Sequence, residues 1–148
     1  MKLPRLTKID NIIINTVKKH GGIIVGSFAV KVFHPHARNY NDIDVIIHNK
    51  GAFSRLLASV LNNHYPGRFT LERSFNAMRI YDNVKGKYVV DIATYPITRK
   101  DYILVQGVYI AKPEFVYKGR AKKESGGLNL SRMGLMPTNR LLKVKRFI

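Results

Sequence analysis

The chain has 148 residues and no cysteine, and its 26 Lys and Arg against 9 Asp and Glu give a formal net charge of +17. That length suits one domain with its own core and is too short for two domains plus linkers, while the missing cysteine excludes disulfides, thiolate catalysis and cysteine-ligated zinc. No window reaches the ~18 apolar residues of a membrane helix, so the expectation is a cytoplasmic protein without membrane contact, whose positive field draws phosphates, nucleic acid or acidic proteins.

Along the chain, Leu6, Ile9, Ile13, Ile14 and Val17 fall at helical spacings within residues 5–20, with Thr7 available as a cap. Gly21-Gly22 ends that helix. Ile23-Ile24-Val25 reads as a short β-branched strand feeding a Gly26-Ser27 turn, after which residues 28–33 start a short helix that His34-Pro35 closes. A loop containing Arg38 leads into a buried strand over residues 42–47, and Asn49-Lys50-Gly51 turns the chain into a second amphipathic helix. The apolar face of that helix is Phe53, Leu56, Leu57, Val60 and Leu61. Beyond Pro66-Gly67, three strand-like segments occupy residues 69–73, 77–81 and 88–95, with a turn at 82–86. Strand, helix, strand, helix and meander in that order predict a mixed β-sheet with helices packed on it, an α/β or α+β fold. From Lys118 onward the composition shifts to nine Lys or Arg against one Glu, with no clean apolar period. The expected organisation is therefore a core over residues 1–117 and a basic, partly ordered C-terminal extension over 118–148.

The chemistry concentrates in three acidic residues. Side chains alternate along a strand, so Asp42 and Asp44 share one side while Ile43 and Val45 point to the other. Two carboxylates that close repel, and a divalent cation is the ordinary relief; Mg²⁺ takes one or two carboxylates plus substrate phosphate oxygens. Upstream, Gly26-Ser27 offers small residues where a backbone must approach a phosphate closely. Asp91 sits in another apolar run, Tyr88-Val89-Val90-Asp91-Ile92-Ala93, where a carboxylate needs a metal, a base or a hydrogen-bond partner. The plainer alternative is structural, with Asp42 capping a strand end and Asp91 pairing with an arginine. Three of only nine acids lying in hydrophobic strands of so basic a chain favours a metal site. His34 and His36 lack further ligands and read as exposed loop residues. Tyr40, Phe75, Tyr81, Tyr88 and Tyr95, near Arg73 and Arg79, could stack on bases, although cross-strand and core packing is the commoner role of such rings.

Gly26-Ser27, Asp42-Ile43-Asp44 and Asp91 together resemble the hG[GS], DhDh and hDh signature of the DNA polymerase β-like nucleotidyltransferase superfamily. Residues 38–44, Arg-Asn-Tyr-Asn-Asp-Ile-Asp, are similar to the R-x-[ST]-x-D-h-D segment of the minimal and AbiEii-type toxin nucleotidyltransferases, with Tyr40 where Ser or Thr is common. The segment from Val108 to Glu114, followed by Lys118 and Ala121, also resembles the approach to that group's lysine-bearing helix. The resemblance implies that Gly26 and Ser27 hold the phosphates of a nucleoside triphosphate, that Asp42, Asp44 and Asp91 bind Mg²⁺ or Mn²⁺, and that Arg38 and Lys118 add positive charge to the nucleotide. Ser125-Gly126-Gly127 interrupts the helix that the group carries onward, and its acceptor-selecting helical domain is expected to be missing.

Three functions follow as expectations. The first is transfer of a nucleoside monophosphate from NTP to a hydroxyl on RNA, tRNA or protein, with a cationic small molecule disfavoured by charge. A second is a nucleic-acid-binding module on the same fold with weak or lost activity. The third is an antitoxin-like protein that acts on a protein partner.

Overall fold

Helix α1, Lys8–His20, starts where the Thr7 hydroxyl accepts the Asp10 backbone N–H at 3.0 Å and stops where Gly21 turns left-handed at φ 72°. Gly22 follows at a close approach, since a Cβ there would stand 3.0 Å from Val17 and 3.1 Å from Val45, where the end of the helix meets the sheet. The computed structural model describes residues 1–115, and the expectations for Lys118 and the basic extension lie outside the described residues.

After α1 come β1 (Ile23–Val25), α2 (Gly26–Phe33), β2 (Ile43–Ile46), α3 (Lys50–His64), β3 (Phe69–Ser74), β4 (Ala77–Asp82) and β5 (Lys87–Ala93). A 3-10 turn, Arg99–Asp101, leads to β6 (Tyr102–Val105) and β7 (Val108–Ala111). The seven strands form one mixed sheet in the order β3-β4-β5-β2-β1-β7-β6. β2 runs parallel to β5 and antiparallel to β1, while β1 runs parallel to β7. This is the expected mixed sheet with helices packed on it.

Alternation along the strands sorts the apolar residues onto two faces. Ile24, Ile43, Val45, Ile80, Val90, Ile92 and Ile110 pack with Ile13 and Val17 of α1, Phe28 of α2 and Leu57 and Leu61 of α3 in the main core. The opposite face carries Val25, Ile46, Ala77, Ala93 and Ala111, with Tyr95 and Phe115 packed on them. Asp44 lies between Ile43 and Val45, so it belongs to this second face, away from the helices of the main core.

Several features differ from the sequence reading: Gly26-Ser27 opens α2 instead of forming a turn before it, and Leu56 of the expected apolar face of α3 is exposed. Asp42 stands on the bend just before β2 rather than inside the strand, which begins at Ile43 and ends at Ile46. The β6–β7 hairpin was not expected. Its tight turn places Gln106 at φ 50° and Gly107 at φ 84°, the paired positive angles that suit the twist of a two-residue hairpin.

Candidate functional site

Strand register brings the acidic residues together. In the parallel β2–β5 pair, Asp44 stands opposite Asp91, and in the antiparallel β1–β2 pair it stands opposite Val25. Asp42, two residues before Asp44, joins them: one carboxylate oxygen from each of Asp42, Asp44 and Asp91 lies within 4.8 Å of the others. Asp44 and Asp91 are fully buried and Asp42 is half-buried.

Asp91 is an ion-paired carboxylate: Arg79 of β4, directly across the ladder, donates its Nε to Oδ1 at 2.8 Å. The two readings of Asp91 weighed from sequence, a pairing with arginine and membership of an acidic cluster, are therefore both present. Asp44 differs, because neither of its buried oxygens has a hydrogen-bond partner. Burial raises the Asp44 carboxyl well above its ordinary range, the neighbouring charges of Asp42 and Asp91 raise it further, and Arg79 only partly opposes them. Burial likewise pushes Asp42 up to about 6, against the pull of Arg79 and Lys87.

A buried carboxylate with no donor is costly to ionise, and here two more carboxylates stand beside it. Protonation or a bound cation relieves that cost. Two orphaned oxygens facing a cluster of hard oxygen donors fit a divalent cation such as Mg²⁺ or Mn²⁺, and the absence of cysteine and histidine from the cluster argues against soft metals.

The other predicted residues fall as follows. Gly26 opens α2 at φ 71°, a left-handed angle that glycine accepts freely, one residue beyond the Val25 that pairs with Asp44. Val25 gives α2 no side-chain cap and its first turn has no acidic residue, so the positive end of the helix begins beside the carboxylates. Ser27 is half-buried in that first turn. Arg38 is exposed in the loop before Asp42 and makes no side-chain hydrogen bond or ion pair among the described residues. Lys118 lies outside them. His34 and His36 are exposed.

Most of the candidate stacking rings are engaged within the fold. Tyr40 donates its hydroxyl to Asp10 Oδ2 at 2.7 Å and packs edge-on to Phe28, Tyr81 meets Tyr88 edge-on at 5.0 Å, and Tyr95 meets Phe115 at 5.3 Å. Phe75 remains exposed at the β3–β4 turn.

Arg79 is the site residue that sequence reasoning missed, having weighed it only as a neighbour of stacking rings. Its guanidinium carbon lies 3.5 Å from the centre of the Tyr88 ring, and the Tyr88 hydroxyl donates to Glu72 Oε1 at 2.6 Å. A register shift makes this possible: Ile80 pairs with Val90 but Tyr81 pairs with Tyr88, leaving Val89 as an extra residue that re-aims Tyr88 toward Arg79. The available signal was a charged residue between Met78 and Ile80 in a strand, the same pattern that marks Asp91.

No protein-family model matches the chain, and no curated protein matches it by sequence. Solved structures do match. The Megavirus polyadenylate synthase superposes with a TM-score of 0.63 at 15% identity, over 79% of this chain and 26% of that one. JHP933 from Helicobacter pylori superposes with a TM-score of 0.51 at 14% identity, over 78% of this chain and 54% of that one. These likenesses define a nucleotidyltransferase-like fold. The chain spans about a quarter of the polyadenylate synthase and about half of JHP933.

Proposed function

We propose that this protein is a divalent-metal-dependent nucleotidyltransferase that moves a nucleoside monophosphate from NTP to a hydroxyl acceptor. The observation that carries the reading is Asp44: a fully buried carboxylate with two orphaned oxygens, clustered with Asp42 and Asp91 at the start of a helix without a side-chain cap. Asp42, Asp44 and Asp91 would hold two Mg²⁺ or Mn²⁺ ions, which when bound neutralise the triphosphate and lower the pKa of the acceptor hydroxyl.

The chain's own groups do the rest. Gly26 and Ser27 present backbone N–H groups, reinforced by the helix dipole, to the β and γ phosphates. Arg38, and Lys118 beyond the described residues, add positive charge to the triphosphate. Arg79 fixes the Asp91 carboxylate through Oδ1. In the transfer, the acceptor oxygen bonds to the α-phosphorus as the bond from that phosphorus to the bridging β-oxygen breaks. Pyrophosphate leaves, and the hydroxyl proton passes to solvent.

Charge favours nucleic acid, RNA or tRNA above all, as the acceptor, since +17 attracts a polyanion and repels a cationic small molecule. The basic residues 118–148, read as an extension of a core over 1–117, would add to that attraction. Arg38 before the Asp pair supports a place in the minimal, AbiEii-type toxin branch, with a protein as the other class of acceptor or partner. A need for NTP and Mg²⁺ is consistent with the cytoplasmic location read from the sequence.

Label transfer tests this reading. Protein incubated with α-labelled NTPs, Mg²⁺ or Mn²⁺ and candidate acceptors should pass label to one of them, and Asp42→Ala/Asp44→Ala should reduce that at least a hundredfold. Equal transfer by the double variant would remove the carboxylates from the chemistry. The charge also motivates a second reading, a nucleic-acid-binding module without turnover: it predicts salt-sensitive binding that the double variant retains and no transfer by the wild type.

A further inference from the structure

The end of the sheet away from Asp42 carries a cavity of about 440 Å³, between the start of α3, the β3–β4 turn and the residues that follow β2 and β5. That volume is in the range of ligand pockets. β2 and β5 run parallel, and His48 and Thr94 of the lining come after Asp44 and Asp91 by four and three residues. At about 3.3 Å per residue, the cavity stands roughly 10–13 Å further along the strands than the acidic cluster. It is a separate place on the molecule. Its charge is one-sided: Lys50 and Arg73 line it with His48, and no carboxylate does. Neither the Lys50 ammonium nor the Arg73 guanidinium makes a hydrogen bond or ion pair among the described residues. The acid next to Arg73, Glu72, points to the other face of the sheet, where it accepts the Tyr88 hydroxyl. The Ser74 hydroxyl is closed to solvent and has no hydrogen-bond partner, and α3 begins here without a side-chain cap or an acid in its first turn. The unpaired N–H groups of that turn add to the positive potential.

An aromatic ring stands at the rim. Ser74 pairs with Ala77, so Phe75 and Asn76 form a two-residue hairpin turn, with Asn76 at φ 64°. Both neighbours of Phe75 line the cavity, and Phe75 itself is 64% exposed. Tyr40, Tyr81, Tyr88 and Tyr95 have ring or hydroxyl partners within the fold. Phe75 is the candidate stacking ring that the fold leaves in solvent, and it sits beside cations that no acid engages.

We infer that this end of the sheet is a binding site for single-stranded nucleic acid, with phosphates of the strand held at Arg73, Lys50 and the start of α3 and an adjoining base stacked on Phe75. Free cations and helix N–H groups recognise phosphate, while an exposed ring recognises the flat face of an unpaired base, which a duplex hides. An acidic peptide offers the charge without the base. The site acts in binding alone and is distinct from the chemistry at the carboxylates.

The test is the affinity of the full chain for a fluorescent single-stranded RNA oligonucleotide, measured by anisotropy across a salt series. NTP and metal are left out, so the outcome is independent of the nucleotidyltransferase reading, which label transfer tests. Phe75→Ala should lose at least about fivefold in affinity with an unchanged salt slope, yet bind an RNA duplex of equal length within about twofold of the wild type. Phe75→Trp should keep the single-strand affinity. Lys50→Gln/Arg73→Gln should flatten the slope of log affinity against log salt by about 1.4 for two lost phosphate contacts. Arg99→Gln/Lys100→Gln removes the same charge at an exposed 3-10 turn outside the cavity lining and should flatten it by less than half as much. Four results would each overturn the inference: no single-strand binding by the wild type, equal losses of Phe75→Ala on single strand and duplex, equal slopes in the two charge variants, or displacement of the RNA by polyglutamate as readily as by unlabelled RNA of equal charge.

Discussion

Ionising Asp44 in the metal-free protein adds a negative charge beside two other carboxylates, all within 4.8 Å, in a place where Asp44 itself is closed to water. Asp42, whose carboxyl rises from 3.8 to about 6, and Asp44 therefore keep their protons to higher pH in the folded chain than in the unfolded one. Between those two values the folded state binds more protons, so this contribution is full at low pH and is lost as pH rises through about 6. Chemical denaturation without metal should show wild-type stability falling relative to Asp42→Asn/Asp44→Asn by roughly 1–3 kcal/mol as pH rises through that window. A pH-independent difference would contradict these electrostatics. Added Mg²⁺ should raise the melting temperature more at neutral pH than at pH 5, because ligand carboxylates must be ionised to bind it. The three carboxylates were legible in the sequence because an acid inside a β-branched run is costly without a partner. Arg79 carries the same mark between Met78 and Ile80, but its contact with Asp91 depends on which strand lies beside which, and no local pattern states that.

Gly26 does for α2 what no capping side chain does: it turns the chain at φ 71° directly into the helix beside Asp44. Gly26→Ala should cost about 1–2 kcal/mol of stability from the left-handed angle and also weaken NTP binding by moving the helix start. The two effects are separable by denaturation and by calorimetry with a non-hydrolysable NTP. The β4–β5 turn, with the open end of the β3–β4 hairpin beside it, depends on a different device. Fully buried Asp82 accepts Arg68 Nε and Nη2, both at 2.9 Å, and the N–H groups of Val84 and Lys85 at 2.9 and 3.1 Å. Asp82→Ala leaves Arg68 to solvent and two turn amides without their acceptor and should cost about 1–3 kcal/mol, read as a lower denaturation midpoint with an unchanged slope. Helices and the central meander were readable from periodicity and glycine stops. The β6–β7 hairpin was not, since Gln106 at φ 50° is an unusual first residue for its turn and Val108–Ala111 gains its place by pairing in parallel with β1, far back in the chain.

Net charge acts on the molecule as one body. A chain of +17 should bind single-stranded nucleic acid with an affinity that falls at least about tenfold between 50 and 200 mM salt, as bound phosphates release counterions. Filter binding over that range checks it, and a flat response would mean that the charge is spread without forming a nucleic-acid surface. The composition made the net charge legible. It did not reveal that the sheet presents its carboxylates on the face opposite the α1–α3 core, because face and strand order arise from pairings between distant segments. The central claim, an acidic metal site next to a triphosphate cradle, is tested most directly by a crystal structure with Mg²⁺ and a non-hydrolysable NTP. The prediction is triphosphate density at Gly26-Ser27, with cations bridging it to Asp42, Asp44 and Asp91. Triphosphate bound elsewhere, or carboxylates left without a cation at saturating NTP and Mg²⁺, would contradict it.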